Sequence, residues 1–177
     1  IYGQAIFRNN NLSFFQKSFD AKAPENYKVG TGDEISISVW GYNEFSENLI
    51  VDERGYISPS SYGRIYVKGL TFKKMRSLLK SRFSNFFDMK NSEIDVTLSY
   101  SRVITVNIVG EVYYPGSYSL PAINTAFNAL FAAKGPTQIG SVRNIYIKRD
   151  GELVDSLDIY EFMFNSHKIQ DIFLEDG

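Results

Sequence analysis

The chain has no cysteine among its 177 residues. That excludes disulfide frameworks, thiolate metal sites and cysteine nucleophiles. It fits an oxidising compartment without requiring one. Histidine is almost as scarce, with His167 the single example. A Ser–His–Asp relay would have to run through that residue, which reads more simply as a solvent-facing side chain. No apolar run approaches the ~20 residues of a membrane-crossing helix. Basic residues form no block: 19 Lys and Arg stand against 20 Asp and Glu. A nucleic-acid partner therefore gains no support. The first residue is Ile1 and no signal-peptide pattern follows it, so the expectation is a piece of a longer protein.

Acidic pairs are present but do not converge. Asp33-Glu34, Asp52-Glu53 and Glu175-Asp176 are adjacent residues, and neighbours on a strand point to opposite faces. A glycosidase needs two carboxylates facing one another across a sugar, and nothing selects such a pair here. No catalytic residue, metal site or cofactor is expected. Gly30-Thr31-Gly32-Asp33 is not a phosphate loop. It lacks the third glycine of the dinucleotide fingerprint and the Gly-Lys-Ser/Thr of the P-loop, and it precedes a strand, not a helix. Its expected task is a tight turn in which Asp33 accepts backbone hydrogen bonds.

What is abundant is aromatic: 12 Tyr and 14 Phe, with one Trp. Such richness invites sugar stacking, but filling a small core is the favoured reading. Apolar residues make up 44% and charged residues 22%, as in ordinary globular domains. The length allows one medium domain or two small ones. Residues 1–26 read as an irregular Asn-rich arm with Phe7, Phe14, Phe15 and Phe19 available to pack onto the body. From 27 to 101, Ile35, Ile37 and Val39 alternate with Ser36, Ser38 and Trp40, as on a half-buried strand. Asp52-Glu53-Arg54-Gly55 predicts a hairpin between 49–51 and 56–57. Thr71 is placed to cap a helix carrying Phe72, Met75, Leu78, Leu79 and Phe83. Its basic residues are expected to face solvent. Ile94, Val96, Leu98 and Tyr100 predict another strand.

Residues 102–177 form the second unit. Gly110 lies within a run read as a strand, and Tyr114-Pro115-Gly116-Ser117 suits a type II turn into a return strand. Thr125 or Asn124 can cap a short helix that Gly135 ends in the left-handed cap position, with Pro136 forbidding continuation. Asp150-Gly151 is a hairpin dipeptide. A short helix is expected after Asp158, and the stretch 171–177 reads as a strand running into a turn. Strands paired around isolated helices in both units make the class α+β.

Two surface candidates stand out. Trp40-Gly41-Tyr42 could offer a stacking platform for sugar, with Gly41 admitting a close neighbour. The favoured alternative is a core Trp at a strand end. Arg143 could pair with a uronate or an adjacent subunit, although a salt bridge within the domain is the simpler reading.

The order and spacing of these motifs resemble the outer-membrane polysaccharide export proteins of capsule translocons. Tyr27 to Gly41, with its Gly-x-Gly-Asp turn and strand ending in Trp-Gly, is similar to the entry of the polysaccharide export domain. So is the run Val51-Asp52-Glu53-Arg54-Gly55-Tyr56-Ile57 through Gly63-Arg64-Ile65. Residues 109–120 and 135–147 resemble the soluble-ligand-binding β-grasp domain, here cut short at its C-terminal end. Lys134 stands where that family often has a second glycine. The resemblance implies a non-enzymatic periplasmic component associated with the outer membrane. It also implies self-association into a ring around a polysaccharide and an inner-membrane polysaccharide co-polymerase as partner. A soluble ligand- or partner-binding module that forms no conduit is the alternative.

Overall fold

The computed structural model describes Phe7 and residues 23–42, 44–164 and 172–177, apart from the Phe162 side chain. His167, Phe14, Phe15 and Phe19 lie outside the described residues. The fold is α+β, with several small antiparallel sheets and few helices. Two compact units divide it, one spanning Lys22–Arg102 and the other Val103–Gly177 together with Phe7.

In the first unit, β1 (Glu34–Gly41) is the middle of a three-stranded antiparallel sheet, between β2 (Phe45–Ile50) and β5 (Ser92–Tyr100). Its alternation is the cause: Ile35, Ile37 and Val39 are buried, and the residues between them face the other side. A short pair, β3 (Tyr56–Ile57) with β4 (Ile65–Tyr66), stands apart. The turn at Asp52-Gly55 therefore forms, closed by Gly55 N–H to Asp52 O at 2.9 Å, but its flanks join different sheets. Residues 45–50 pair with β1, and 56–57 pair with β4.

Helix α1 (Phe72–Phe83) starts at Thr71, whose hydroxyl accepts from Lys74 N–H at 3.3 Å. Its buried face is Phe72, Met75, Leu79 and Phe83. Two of its cations reach Glu25, Lys73 at 3.3 Å and Arg76 at 2.9 Å, while Lys74, Lys80 and Arg82 are exposed. Phe45, Tyr62, Phe83 and Phe87 form one ring cluster, with centroids 5.0–6.0 Å apart. These four rings thus serve packing.

The second unit contains two hairpins: β6 (Val103–Ile108) with β7 (Gly116–Pro121), and β8 (Ile145–Arg149) with β9 (Glu152–Leu157). Between them runs α2 (Ala126–Ala132), capped by Thr125. Helix α3 (Ile159–Phe164) follows β9, with Asp158 accepting from Tyr160 N–H at 2.8 Å. Phe7, Phe127, Leu130, Val142, Leu157 and Ile159 form the core. Asp150 and Gly151 both adopt positive φ, 51° and 84°, the two-residue turn that matches strand twist.

Three expectations are corrected. Pro115-Gly116 is not a hairpin tip, because Ile108 pairs with Gly116 and residues 109–115 form the loop. That loop, Gly110 included, is held by the segment after α2: Tyr113 N–H reaches Gly135 O at 3.1 Å, and Val112 bridges Pro136. Backbone pairing there outweighs the local turn preference. Next, the left-handed residue after the α2 cap is Lys134, at φ 64°, with Gly135 following at 75°. Gly135 N–H bonds Leu130 O and Lys134 N–H bonds Phe131 O, at 2.9 and 3.0 Å, the two bonds of a Schellman ending. Finally, 172–177 forms no strand, only a bridge from Phe173 to Thr125.

Candidate functional site

The Gly-x-Gly-Asp turn encloses a buried polar cluster. Asp33 is fully buried and receives hydrogen bonds from four groups. They are Tyr27 Oη at 2.8 Å, Gly30 N–H at 2.8 Å, Arg102 N–H at 2.8 Å and Arg102 Nη1 at 3.1 Å. Arg102 Nη1 also donates to Tyr27 Oη at 2.9 Å. Burial first, and then the Asp33 charge, push the Tyr27 hydroxyl pKa well above its ordinary value. Gly30 is glycine for space: a Cβ there would stand 2.5 Å from the Arg102 guanidinium. Gly32, at φ 89°, lets the chain turn back so that Asp33 reaches Gly30. These bonds tie Tyr27 and Gly30 to Arg102 through one carboxylate, so the turn is a lock between the two ends of the first unit.

The open face of the three-stranded sheet has a different character. Trp40 is 46% exposed and Tyr42 83% exposed, so Trp40 is not a core side chain. The register explains it. Val39 takes the last buried position of β1, and Trp40 falls on the opposite side beside Glu93 of β5. The same side carries Ser38 opposite Asp95, and Ser36 opposite Thr97. Across β2 it carries Ser46 and Asn48. Ser38 and Ser46 hydroxyls lie 3.2 Å apart. An indole flanked by rows of hydroxyls, an amide and carboxylates can stack on the C–H face of a sugar ring and exchange hydrogen bonds with its hydroxyls. Gly41 is accounted for within the chain, since a Cβ would meet Asn91 O at 2.3 Å.

Arg143 belongs to the other unit. Its guanidinium pairs with Asp158 at 3.2 Å and lies 5.8 Å from the Tyr160 ring centroid. Burial works to raise the Asp158 carboxyl pKa, but Arg143 and the backbone amides of Glu161 and Tyr160 outweigh it, leaving a net lowering. The simpler reading of Arg143, a bridge within the domain, is what the geometry displays.

The same unit holds a cleft of about 460 Å³. Val106, Ile108, Ile145, Ile147 and Leu174 give it apolar walls, and Lys148, Arg149 and Glu175 line it as well. Arg149 and Glu175 pair at 3.3 Å. Sequence reasoning missed this cleft, because β6 and β8 border it from separate hairpins. Among the described residues no three acidic or His side chains gather as a metal site would require. Nor is any helix there long and apolar enough to cross a membrane.

Comparison with known proteins adds the decisive observation for the first unit. A family model described as "Polysaccharide biosynthesis/export protein" matches residues 21–99. Residues 21–99 are thus similar to the polysaccharide biosynthesis/export family. This export segment contains the Asp33 turn, the Trp40 sheet face and α1. Two curated proteins of Escherichia coli, each named "Polysialic acid transport protein KpsD", are similar to the chain at 26% identity over 140 residues. The match covers 78% of this chain and 25% of each relative. The chain thus spans about a quarter of their length, and the likeness is distant.

Proposed function

We propose that this chain is a periplasmic portion of an outer-membrane polysaccharide export protein, and that it conducts a capsule or exopolysaccharide without chemically altering it. The carrying observation is that the export-family segment presents an uncovered sheet face with an exposed Trp40 among hydroxyl rows. A conduit needs weak, repeated contacts, since a deep, tight site would stall a moving chain. In the full-length protein it self-associates into a ring and receives polysaccharide from an inner-membrane co-polymerase. Residues 102–177 act as a soluble-ligand-binding β-grasp domain. Support for that assignment comes from the hairpin–helix–hairpin order and from the cleft that β6 and β8 both border.

The test is removal of the gene from its native host, followed by complementation. Loss of surface polysaccharide with periplasmic accumulation is expected. Undiminished surface polysaccharide refutes the reading. The apolar cleft also favours a second one, a ligand-binding module that builds no conduit. In that case deletion would leave export intact, while the purified chain retained a small molecule in the cleft.

A further inference from the structure

We propose that the sheet face around Trp40 is a subsite for uncharged glycan and discriminates against anionic sugars; this rests on the export reading and adds a substrate class to it. The charge pattern carries the inference. The strands Glu34–Gly41, Phe45–Ile50 and Ser92–Tyr100 contain no Lys, Arg or His. They contain Glu34, Glu47, Glu93 and Asp95. Glu47 lies on the other side and accepts from Ser60 N–H at 3.0 Å. Glu34, Glu93 and Asp95 share the open face with Trp40. Among the described residues, none of these three forms an ion pair.

Carboxylates only accept hydrogen bonds. They suit the hydroxyls of a neutral sugar seated on the indole, with Ser38 and Ser46 able to donate or accept beside it. A sugar carboxylate in the same seat would find no cation on these three strands to pair with. It would instead lie near Glu93, directly across from Trp40, and Asp95, one position along. Directly paired side chains have Cβ atoms roughly 5 Å apart. Two like charges about 6 Å apart in water cost a factor of about three in affinity, so the two together cost about tenfold.

Trp40 is the only tryptophan, so its emission reports this face alone. The whole chain is titrated, in dilute buffer, with oligomers of glucose, galactose and N-acetylglucosamine. Oligosialic acid and oligogalacturonate of equal length form the anionic arm. The neutral set should shift Trp40 emission, with the anionic set at least about tenfold weaker. The double variant Glu93→Gln/Asp95→Asn, at one exposed and one half-buried position, should narrow that gap. Silence of Trp40 toward every neutral oligomer overturns the proposal. So does equal or tighter binding of the anionic set, or a gap that the double variant leaves untouched. Export of polysaccharide in the native host separates the two readings. If deletion abolishes export but Trp40 fails these titrations, only the subsite falls. If deletion leaves export intact, the export reading falls whatever Trp40 binds.

Discussion

The Asp33 cluster offers a direct measure of what holds the export segment together. Asp33→Asn keeps the shape and removes the charge. Each Asp33 oxygen accepts from at least one main-chain amide: Oδ1 from Arg102 N–H and Oδ2 from Gly30 N–H, both at 2.8 Å. Whichever way the new amide turns, its NH2 faces a donor that has lost its acceptor. The Arg102 guanidinium, with its side chain 23% exposed, loses its counter-charge as well. Losing one partner of a buried, hydrogen-bonded pair costs about 3–5 kcal/mol, and each stranded buried donor about 1–3 kcal/mol. A net loss of about 3–4 kcal/mol is expected, a large share of the ~5–15 kcal/mol that stabilises a typical domain. For a unit of this size that lowers the melting temperature by roughly 20 °C. Because Trp40 belongs to the same unit, urea unfolding followed by its emission reads that unit alone. Arg102→Lys, which keeps the charge but not the fork, should fall between the two. A loss below about 1 kcal/mol for Asp33→Asn refutes the account of the turn as a lock.

Other expectations follow from the same geometry. Tyr27 has its pKa raised on folding, so its contribution is fully present below the unfolded value of about 10 and is lost as pH rises beyond it. Alkaline unfolding of the first unit should show this, and Tyr27→Phe should flatten the curve; a parallel curve contradicts it. Lys134→Gly should stabilise the second unit by about 1 kcal/mol, since a side chain at φ 64° is strained where glycine is not. Calorimetry reads the change, and a loss of stability would count against the cap assignment. Arg143→Gln should move the Asp158 carboxyl back up toward its ordinary pKa, as measured by NMR titration. The stabilisation held by that lowered carboxyl is present above about pH 4 and lost as pH falls. Gly30→Ala should crowd the Arg102 guanidinium and destabilise the first unit by about 1–3 kcal/mol. An unchanged urea midpoint would mean the guanidinium moves aside freely.

Strands and caps were legible in the sequence where one local pattern decides them. The period-two runs at 35–39 and 94–98 became β1 and β5, and Thr71 and Thr125 became caps. These features depend on neighbours within about four residues, which the sequence states directly. Asp33 was legible as an acceptor of backbone hydrogen bonds, but its Arg102 partner is 69 residues away and no local rule points to it. Trp40 shows the limit from the other side. A lone Trp is usually buried, yet its parity relative to Ile35, Ile37 and Val39 already assigned it to the opposite face of β1. Only the fold showed that this opposite face stays uncovered at Trp40.

The lack of cysteine chemistry, the α+β class, the alternation of β1 and the export-type motifs could all be read from the residues in order, because each is a matter of composition or short-range spacing. Tertiary structure alone decided which loop Pro115-Gly116 serves, which residue takes the left-handed position after α2, and which carboxylates surround Trp40. Those outcomes depend on backbone pairing and side-chain register between segments far apart in the chain. The free energy of such contacts exceeds the small local preferences of a turn or a cap, and only the folded molecule brings them together.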